Sequence, residues 1–385
     1  CSSAPGSLAE VSFRLFFLDP PSSTGRYCTF TRDRGFMPSE QLHLEPYSLL
    51  LTMAQADPAL RSGVTRDQLQ ICIGTQHSRR THPSDALEQR WEAACAANPR
   101  LFDATKFRLA SIDWGECGGG VTVSLGLTSY KEYLGTNRLP PQAYAALAAE
   151  GEASHGNAGA FFSNALGCEA LLLTSDGLVT LLRRSAHVAT HVGLYNGPSG
   201  HPEPERARIG TAELAEMSAA GLASAGSASA GLASAGLASA GLASAGSASA
   251  GSAAAISAAS ISASSRSLVA RAAAELFDSI VQETHEETGI PLEMLGEPRL
   301  IGCMADSVGK PDLLFVLTTS LDAAAVRTQF AAGATEGWES DRIAFHAHAD
   351  LIGEHPRSGI ALTAVTRAAV ECYGLLAQPG VGVSV

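Results

Sequence analysis

The chain has 385 residues, 45% hydrophobic and 17% charged, with 38 acidic against 26 basic side chains and a net charge of −12. That length allows two domains, and the negative balance excludes a general nucleic-acid or anionic-membrane binder, which needs a positive surface. Eight cysteines in 385 residues are too sparse for a disulfide-built scaffold, and without a C-x-x-C pair they do not support a zinc ribbon or thioredoxin motif. Reduced, mostly buried thiols in a cytoplasmic chain are the expectation, with organelle targeting left open because the sequence begins at Cys1.

Residues 1–70 read as an irregular N-terminal extension, with Pro20-Pro21 and few periodic runs. Residues 71–150 read as a small α+β domain. Within it, 84–98 predicts a helix with Ser84 as cap and Leu87, Trp91 and Ala94 on one face. Residues 106–127 predict two strands joined across Gly115 and Gly118–Gly120, a glycine cluster that suits a flexible hairpin loop better than a phosphate cradle. Residues 151–385 read as a second domain. It opens with a hairpin over 169–184 turning at Ser175-Asp176-Gly177.

Residues 205–265 are Ala/Ser/Gly-rich. From Gly221 a pentad repeats, with glycine at 221, 226, 231, 236, 241, 246 and 251. A five-residue period matches neither helix nor strand, and each glycine costs a helix about 1 kcal/mol relative to alanine. A disordered linker-like insertion is expected. Its uncharged run from Met217 to Ser265 is long enough to span a bilayer but is built from the wrong residues to enter one.

Downstream, Ser267–Thr288 predicts a helix stopped by Gly289. Strands near Arg299–Met304, Asp312–Thr319 and Ile343–Ala347 follow, with helices at Leu321–Phe330 and Gly359–Leu376. Strands interleaved with helices predict an α/β fold.

The chemistry concentrates in Gln282-Glu283-Thr284-His285-Glu286-Glu287-Thr288-Gly289-Ile290. Glu283, Glu286 and Glu287 fall at i, i+3 and i+4 and share a helix face. Clustered carboxylates repel unless a divalent cation neutralises them through oxygen ligands. Leu276, Phe277, Ile280 and Val281 form the opposite, apolar face. On spacing alone, a solvated acidic face is the better reading. The histidine pairs 187/191 and 346/348 lack the accompanying glutamate of H-E-x-x-H, so zinc is disfavoured.

The run Gln282–Ile290 resembles the second half of the Nudix box, R-E-U-x-E-E-x-G-U, with Gln282 in place of Arg and Thr284 in place of an apolar residue. Asn196-Gly197-Pro198-Ser199-Gly200-His201-Pro202-Glu203-Pro204 resembles its glycine-containing start. The box's middle glutamate falls at Ala274, with Glu275 adjacent. Further segments are similar to the UDP-glucose diphosphatase branch of the Nudix hydrolases, from about residue 75 to 376 without the insertion. They include Leu101–Leu109, Leu125–Tyr130, Leu134–Asn137, Leu182–Ser185 and Glu275–Phe277.

The resemblance implies an α/β/α Nudix sandwich preceded by a small N-terminal α+β domain. It implies Mg²⁺-dependent hydrolysis (Mn²⁺ as substitute) of a UDP-sugar to UMP and sugar 1-phosphate. Glu283, Glu286 and Glu287 would be the metal and catalytic residues. Asp312 is a candidate base, although an exposed strand-start aspartate is the commoner reading. Lys106, Arg108, Arg183, Arg184, Thr128, Ser129, Tyr130, Asn137 and Gly200 are candidates for binding substrate. Arg183 and Arg184 are neighbours on a strand, so only one faces the site. A small nucleotide sugar is the expected partner, with no obligate protein partner. Two alternatives stand: a Nudix hydrolase for ADP-ribose, NADH or CoA, the last motivated by Leu182–Ser185 with His191-Val192-Gly193, and a non-catalytic nucleotide-binding module.

Overall fold

The computed structural model describes residues 45–53, 60–83, 86–99, 101–115, 120–188, 190–215, 263–353 and 357–376. The expected cap Ser84, residues 1–44 and the pentad repeat lie outside the described residues.

The central sheet runs in the order β1 (Ser48–Thr52), β9 (Arg299–Ala305), β10 (Pro311–Thr318), β5 (Gly167–Leu173), β6 (Leu178–Arg184), β11 (Ser340–Ala347). Two short strands attach to it, β7 (Tyr195–Asn196) on β6 and β8 (Ser199–Gly200) on β5. The pair β5–β10 is parallel; the other neighbours are antiparallel. Gly177, at φ 80°, makes the β5–β6 turn.

Helix α4 (Ala263–Thr288) and the last helix, α6 (Ala364–Leu376), cover opposite faces of this sheet. Side-chain alternation along β5 makes the point. The Cys168 thiol meets Ser279 Oγ of α4 at 3.8 Å, and Phe315, registered with Ala170, stacks edge-on against Phe277 of α4. The intervening Glu169 is registered with Leu314, and Leu314 with Gly302, where an added Cβ would stand 2.7 Å from Cys372 Sγ of α6. Helix, sheet and helix form the three layers. Leu276, Phe277 and Ile280 of α4 are fully buried; at about 1.5–3 kcal/mol each, they anchor the helix. The acids do not sit on the opposite face as expected: seven residues is about two turns, so Glu283 follows Leu276 and Glu287 follows Ile280 along the same inward face, nearer the helix end. Gly289, at φ 74°, ends α4 and donates to His285 O at 2.8 Å.

A second sheet, in the order β2 (Leu69–Ile73), β4 (Val121–Ser129), β3 (Thr105–Trp114), carries α1 (Leu87–Ala97), α2 (Tyr130–Thr136) and α3 (Pro141–His155). Its core is continuous with that of the central sheet. Helix α5 (Ala323–Ala332) is capped by Asp322, whose side chain accepts from Ala325 N at 2.8 Å.

Two boundaries differ from the sequence reading. Ser48–Thr52 does not belong to an irregular extension: it pairs with β9 at the edge of the central sheet, and Leu51 is buried. Its run Ser-Leu-Leu-Leu-Thr is too short for a periodicity to show. The insertion also begins later than residue 205. Ala207, Ile209 and Leu214 are buried in the main core.

Candidate active site

A cleft of about 620 Å³ opens between the two sheets. Lys106, Tyr130 and Tyr133 line it from the N-terminal layer, and Arg184, Gly200, Glu203, Glu283, Lys310, Asp312, Glu336 and Glu339 from the other.

Helix α4 sets the acids. Glu283 lines the cleft, Glu286 lies beside it close to Glu336, and Glu287 is buried, 3% exposed. One carboxylate oxygen from each of Glu283, Glu286 and Glu336 lies within 4.8 Å of the other two. Burial, then the charges of Glu336 and Glu286, push Glu283 up to about 8. Burial, then Glu283, pushes Glu287 well above the ordinary carboxylate range. Glu336 is raised by burial, then by Glu339 and Glu286. Glu287 Oε2 is buried without a hydrogen-bond partner. Arg206 reaches Glu286 Oε1 at 3.7 Å and lowers Glu283 and Glu336 in part, but one guanidinium does not balance the cluster: the acids stay raised and one oxygen orphaned, and a hard divalent cation supplies further positive charge.

The two departures in the acidic run have local explanations. Gln282 Nε2 donates to Glu286 Oε1 at 2.6 Å and holds that carboxylate. Thr284 turns its hydroxyl back to Ile280 O at 2.7 Å, so it fits a fully buried position. Glu275 Oε1 accepts from Glu203 N at 2.9 Å and ties the 196–204 loop to α4. That loop presses against the acids, because a Cβ on Gly200 would stand 2.2 Å from the Glu283 carboxylate.

On the other wall Lys310 Nζ donates to Asp312 Oδ1 at 2.5 Å. Burial raises Asp312 to about 6, against the pull of Lys310. Asp312 is 8% exposed, so the reading of an exposed strand-start aspartate fails: the parallel pairing with β5 carries β10 into the core.

The other expected binding residues divide. Arg184 lines the cleft, its Nε donating to Thr190 O at 3.0 Å. Arg183 points away and forms a two-pronged pair with Asp341, both contacts 2.7 Å. Lys106 lines the cleft and meets Glu203 at 3.2 Å. Arg108 does not reach it. Its guanidinium is committed to three carbonyls, Phe162 O at 3.1 Å, His77 O at 2.8 Å and Gly159 O at 2.8 Å. Tyr130 and Gly200 line the cleft. Thr128, Ser129 and Asn137 serve the fold instead. Thr128 Oγ1 donates to Glu132 Oε2 at 2.8 Å; Ser129 caps α2; Asn137 is buried and donates to Val308 O at 3.0 Å. Their polar groups are taken by partners within the fold: side chains for Thr128, backbone groups for Ser129 and Asn137.

Sequence reasoning missed Glu336, Lys310 and Glu203. Glu336 comes from a loop fifty residues past Glu286, although Glu336 N donates to Glu286 O at 2.9 Å. The only local signal was two acids, Glu336 and Glu339, around a turn. Of the histidine pairs, His191 Nε2 meets Glu45 Oε2 at 2.9 Å and His348 Nε2 meets Val370 O at 2.9 Å. Among the described residues, the glutamate trio is the only cluster with ligand spacing.

No family model matches the chain. Uridine diphosphate glucose pyrophosphatase NUDT22 of Homo sapiens is 31% identical over 290 residues, 74% of this chain and 79% of that protein. Nudix hydrolase 9 of Arabidopsis thaliana is 26% identical over 293 residues, 73% of this chain and 79% of that protein. The chain belongs to the Nudix hydrolases. A crystal structure of a Nudix hydrolase from M. Smegmatis, RenU, aligns at TM-score 0.25 and 10% identity over 54% of this chain and 81% of that one, a likeness too slight to carry an argument. Nudix hydrolases work with a divalent cation, and the unbalanced acids of α4 and the Glu336 loop fit that requirement.

Proposed function

We propose that this Nudix hydrolase cleaves the diphosphate bridge of a UDP-sugar, UDP-glucose or UDP-galactose, to UMP and a sugar 1-phosphate, with Mg²⁺ at the acidic cluster and Mn²⁺ as its substitute. The observation that carries the reading is the convergence of Glu283, Glu286 and Glu336 over the buried Glu287, opposite Lys310 and Arg184. The name of the human relative supports the choice of substrate.

Glu283, Glu286 and Glu336 would hold the cation, with Glu287 beneath them. When bound, the cation screens the diphosphate oxygens and acidifies a water. Lys310 stays protonated, because the Asp312 carboxylate outweighs the effect of its burial, and it brings a positive charge to the cleft. The Nη donors of Arg184 suit a bidentate grip on a phosphate. Lys106 and Tyr130 present a cation and a ring edge for the sugar-nucleotide ends. We place the general base at Asp312, which is buried and deprotonates just below neutral pH. Water adds to a phosphorus, the bridging P–O bond breaks, and the bridge oxygen leaves with the other phosphate; one water proton goes to the base.

The test is a product assay with UDP-glucose, ADP-ribose, NADH and CoA, each with and without Mg²⁺. UDP-glucose should be turned over at least about tenfold faster than the others, giving UMP and glucose 1-phosphate. Turnover of CoA or NADH without turnover of UDP-glucose would overturn the substrate. A lack of turnover for all four, with retained binding, would favour a nucleotide-binding module.

A further inference from the structure

A second cavity, of about 320 Å³, lies in the N-terminal layer, away from the acidic cleft. His77, Arg80, Arg108, Ser111, His155 and Asn157 are among its lining residues, and none of the lining side chains is acidic.

The cation at its floor is built in. Arg108 is 3% exposed and pinned by the three carbonyls already described, which fix the guanidinium plane. Those bonds use three of its five N–H groups and leave two. They satisfy donors without cancelling the charge. Burial pushes Arg108 down to about 10; Glu132 opposes this, and the neighbouring cations Arg79 and Arg80 add to it. The nearby acids are engaged elsewhere. Glu132 pairs with Arg79 at 2.7 Å, and Glu150 with His82 at 2.9 Å. Arg80 has no carboxylate within ion-pair distance among the described residues. Two guanidiniums therefore share a polar cavity whose compensating anion the chain does not supply.

We propose that this cavity binds a phosphate dianion, free or as a monoester, held by Arg80 and Arg108, with Ser111 and Asn157 offering hydrogen bonds to the phosphate or to an attached polyol. The site is independent of the hydrolytic cleft. It does share a strand with it: Lys106, in the cleft, and Arg108 are two residues apart on β3.

The experiment is calorimetric titration of the full chain with inorganic phosphate and with ribose 5-phosphate, in EDTA. Without divalent cations the acidic cleft repels both probes. Saturable binding of at least one probe is expected below about 10 mM, weakened at least about tenfold by Arg80→Glu and unchanged within about twofold by Lys106→Glu. Arg80 is exposed, so the substitution should leave UDP-glucose hydrolysis unchanged. Ser111→Asp, which brings a like charge in from an exposed strand position, is a second variant and should cause the same loss. Tighter binding of ribose 5-phosphate would identify an organic monoester, and equal binding free phosphate. No saturable binding, or binding lost with Lys106→Glu and kept with both Arg80→Glu and Ser111→Asp, would overturn the proposal.

Discussion

Gly200→Ala isolates the geometry of the acidic cluster from its charge. The added Cβ would stand 2.2 Å from Glu283 Cδ, 2.2 Å from its Oε1 and 2.6 Å from its Cγ. Ordinary contact begins near 3.4 Å, so the carboxylate must retreat by about 1 Å. It is the end of a flexible side chain, and an off-rotamer χ costs only about 0.5–1.5 kcal/mol, so the fold should survive. Catalysis should not, because a misplacement of about 1 Å costs on the order of 10²-fold, or about 2.7 kcal/mol of barrier. The assay is kcat for UDP-glucose at saturating Mg²⁺, beside the melting temperature and a cation titration. The expected variant melts within a few degrees of the wild type, binds cation more weakly and turns over about a hundredfold more slowly. Gly197→Ala is the contrast: its Cβ would meet the Ala170 carbonyl oxygen at 2.2 Å, a backbone atom that cannot retreat, and stability itself should fall. If Gly200→Ala kept kcat within about threefold, the placement of Glu283 against that loop would not matter to the reaction, and the reasoning would be refuted.

The remaining predictions concern charge. Glu283 and Glu287 are raised by burial, Glu283 to about 8. A carboxyl raised on folding contributes stability that is fully present below its unfolded value, near 4.5, and lost as pH rises toward 8; the metal-free protein should therefore melt lower at about pH 8.5 than at about pH 5.5. Mg²⁺ should shrink that difference, and its affinity should rise with pH as the acids release their protons; a metal-free melting temperature that rises with pH would contradict the burial of these groups. Arg183→Ala should change activity and stability little, since its partner Asp341 is a surface pair, whereas Arg184→Ala should lower kcat/KM roughly tenfold to a hundredfold. Equal losses from both variants would mean that the strand's alternation had been misread. Arg108→Met strands the carbonyls of Phe162, His77 and Gly159 and should cost about 2–4 kcal/mol in urea unfolding, while kcat/KM of the folded fraction stays within about threefold.

How much of this was legible depended on how local each signal was. Helix α4 carries its own instructions: an apolar stripe at 276, 277 and 280 and a glycine stop at 289; its acids were expected on the far side, but Glu283 and Glu287 continue the inward face. The β5–β6 hairpin likewise announces itself through Asp176-Gly177. Strand β1 could not be read, because the five residues Ser-Leu-Leu-Leu-Thr gain meaning only beside β9. Glu336 was illegible for the same reason, since a loop ligand is defined by the helix it faces. Arg108 and Asn137 have residue types suited to the substrate cleft, but burial beside backbone carbonyls holds them out of it. Alternation correctly limited the Arg183–Arg184 pair to one cleft residue, and pairing with Asp341 decided which.

The central claim is that the glutamates of α4 and the Glu336 loop grip a divalent cation. The direct measurement is an anomalous difference map from crystals grown with Mn²⁺. A peak at about 2.1–2.3 Å from carboxylate oxygens of Glu283 and Glu286, lost in Glu283→Gln, is the predicted result. Full Mn²⁺ occupancy elsewhere, with those side chains turned to solvent, would contradict it.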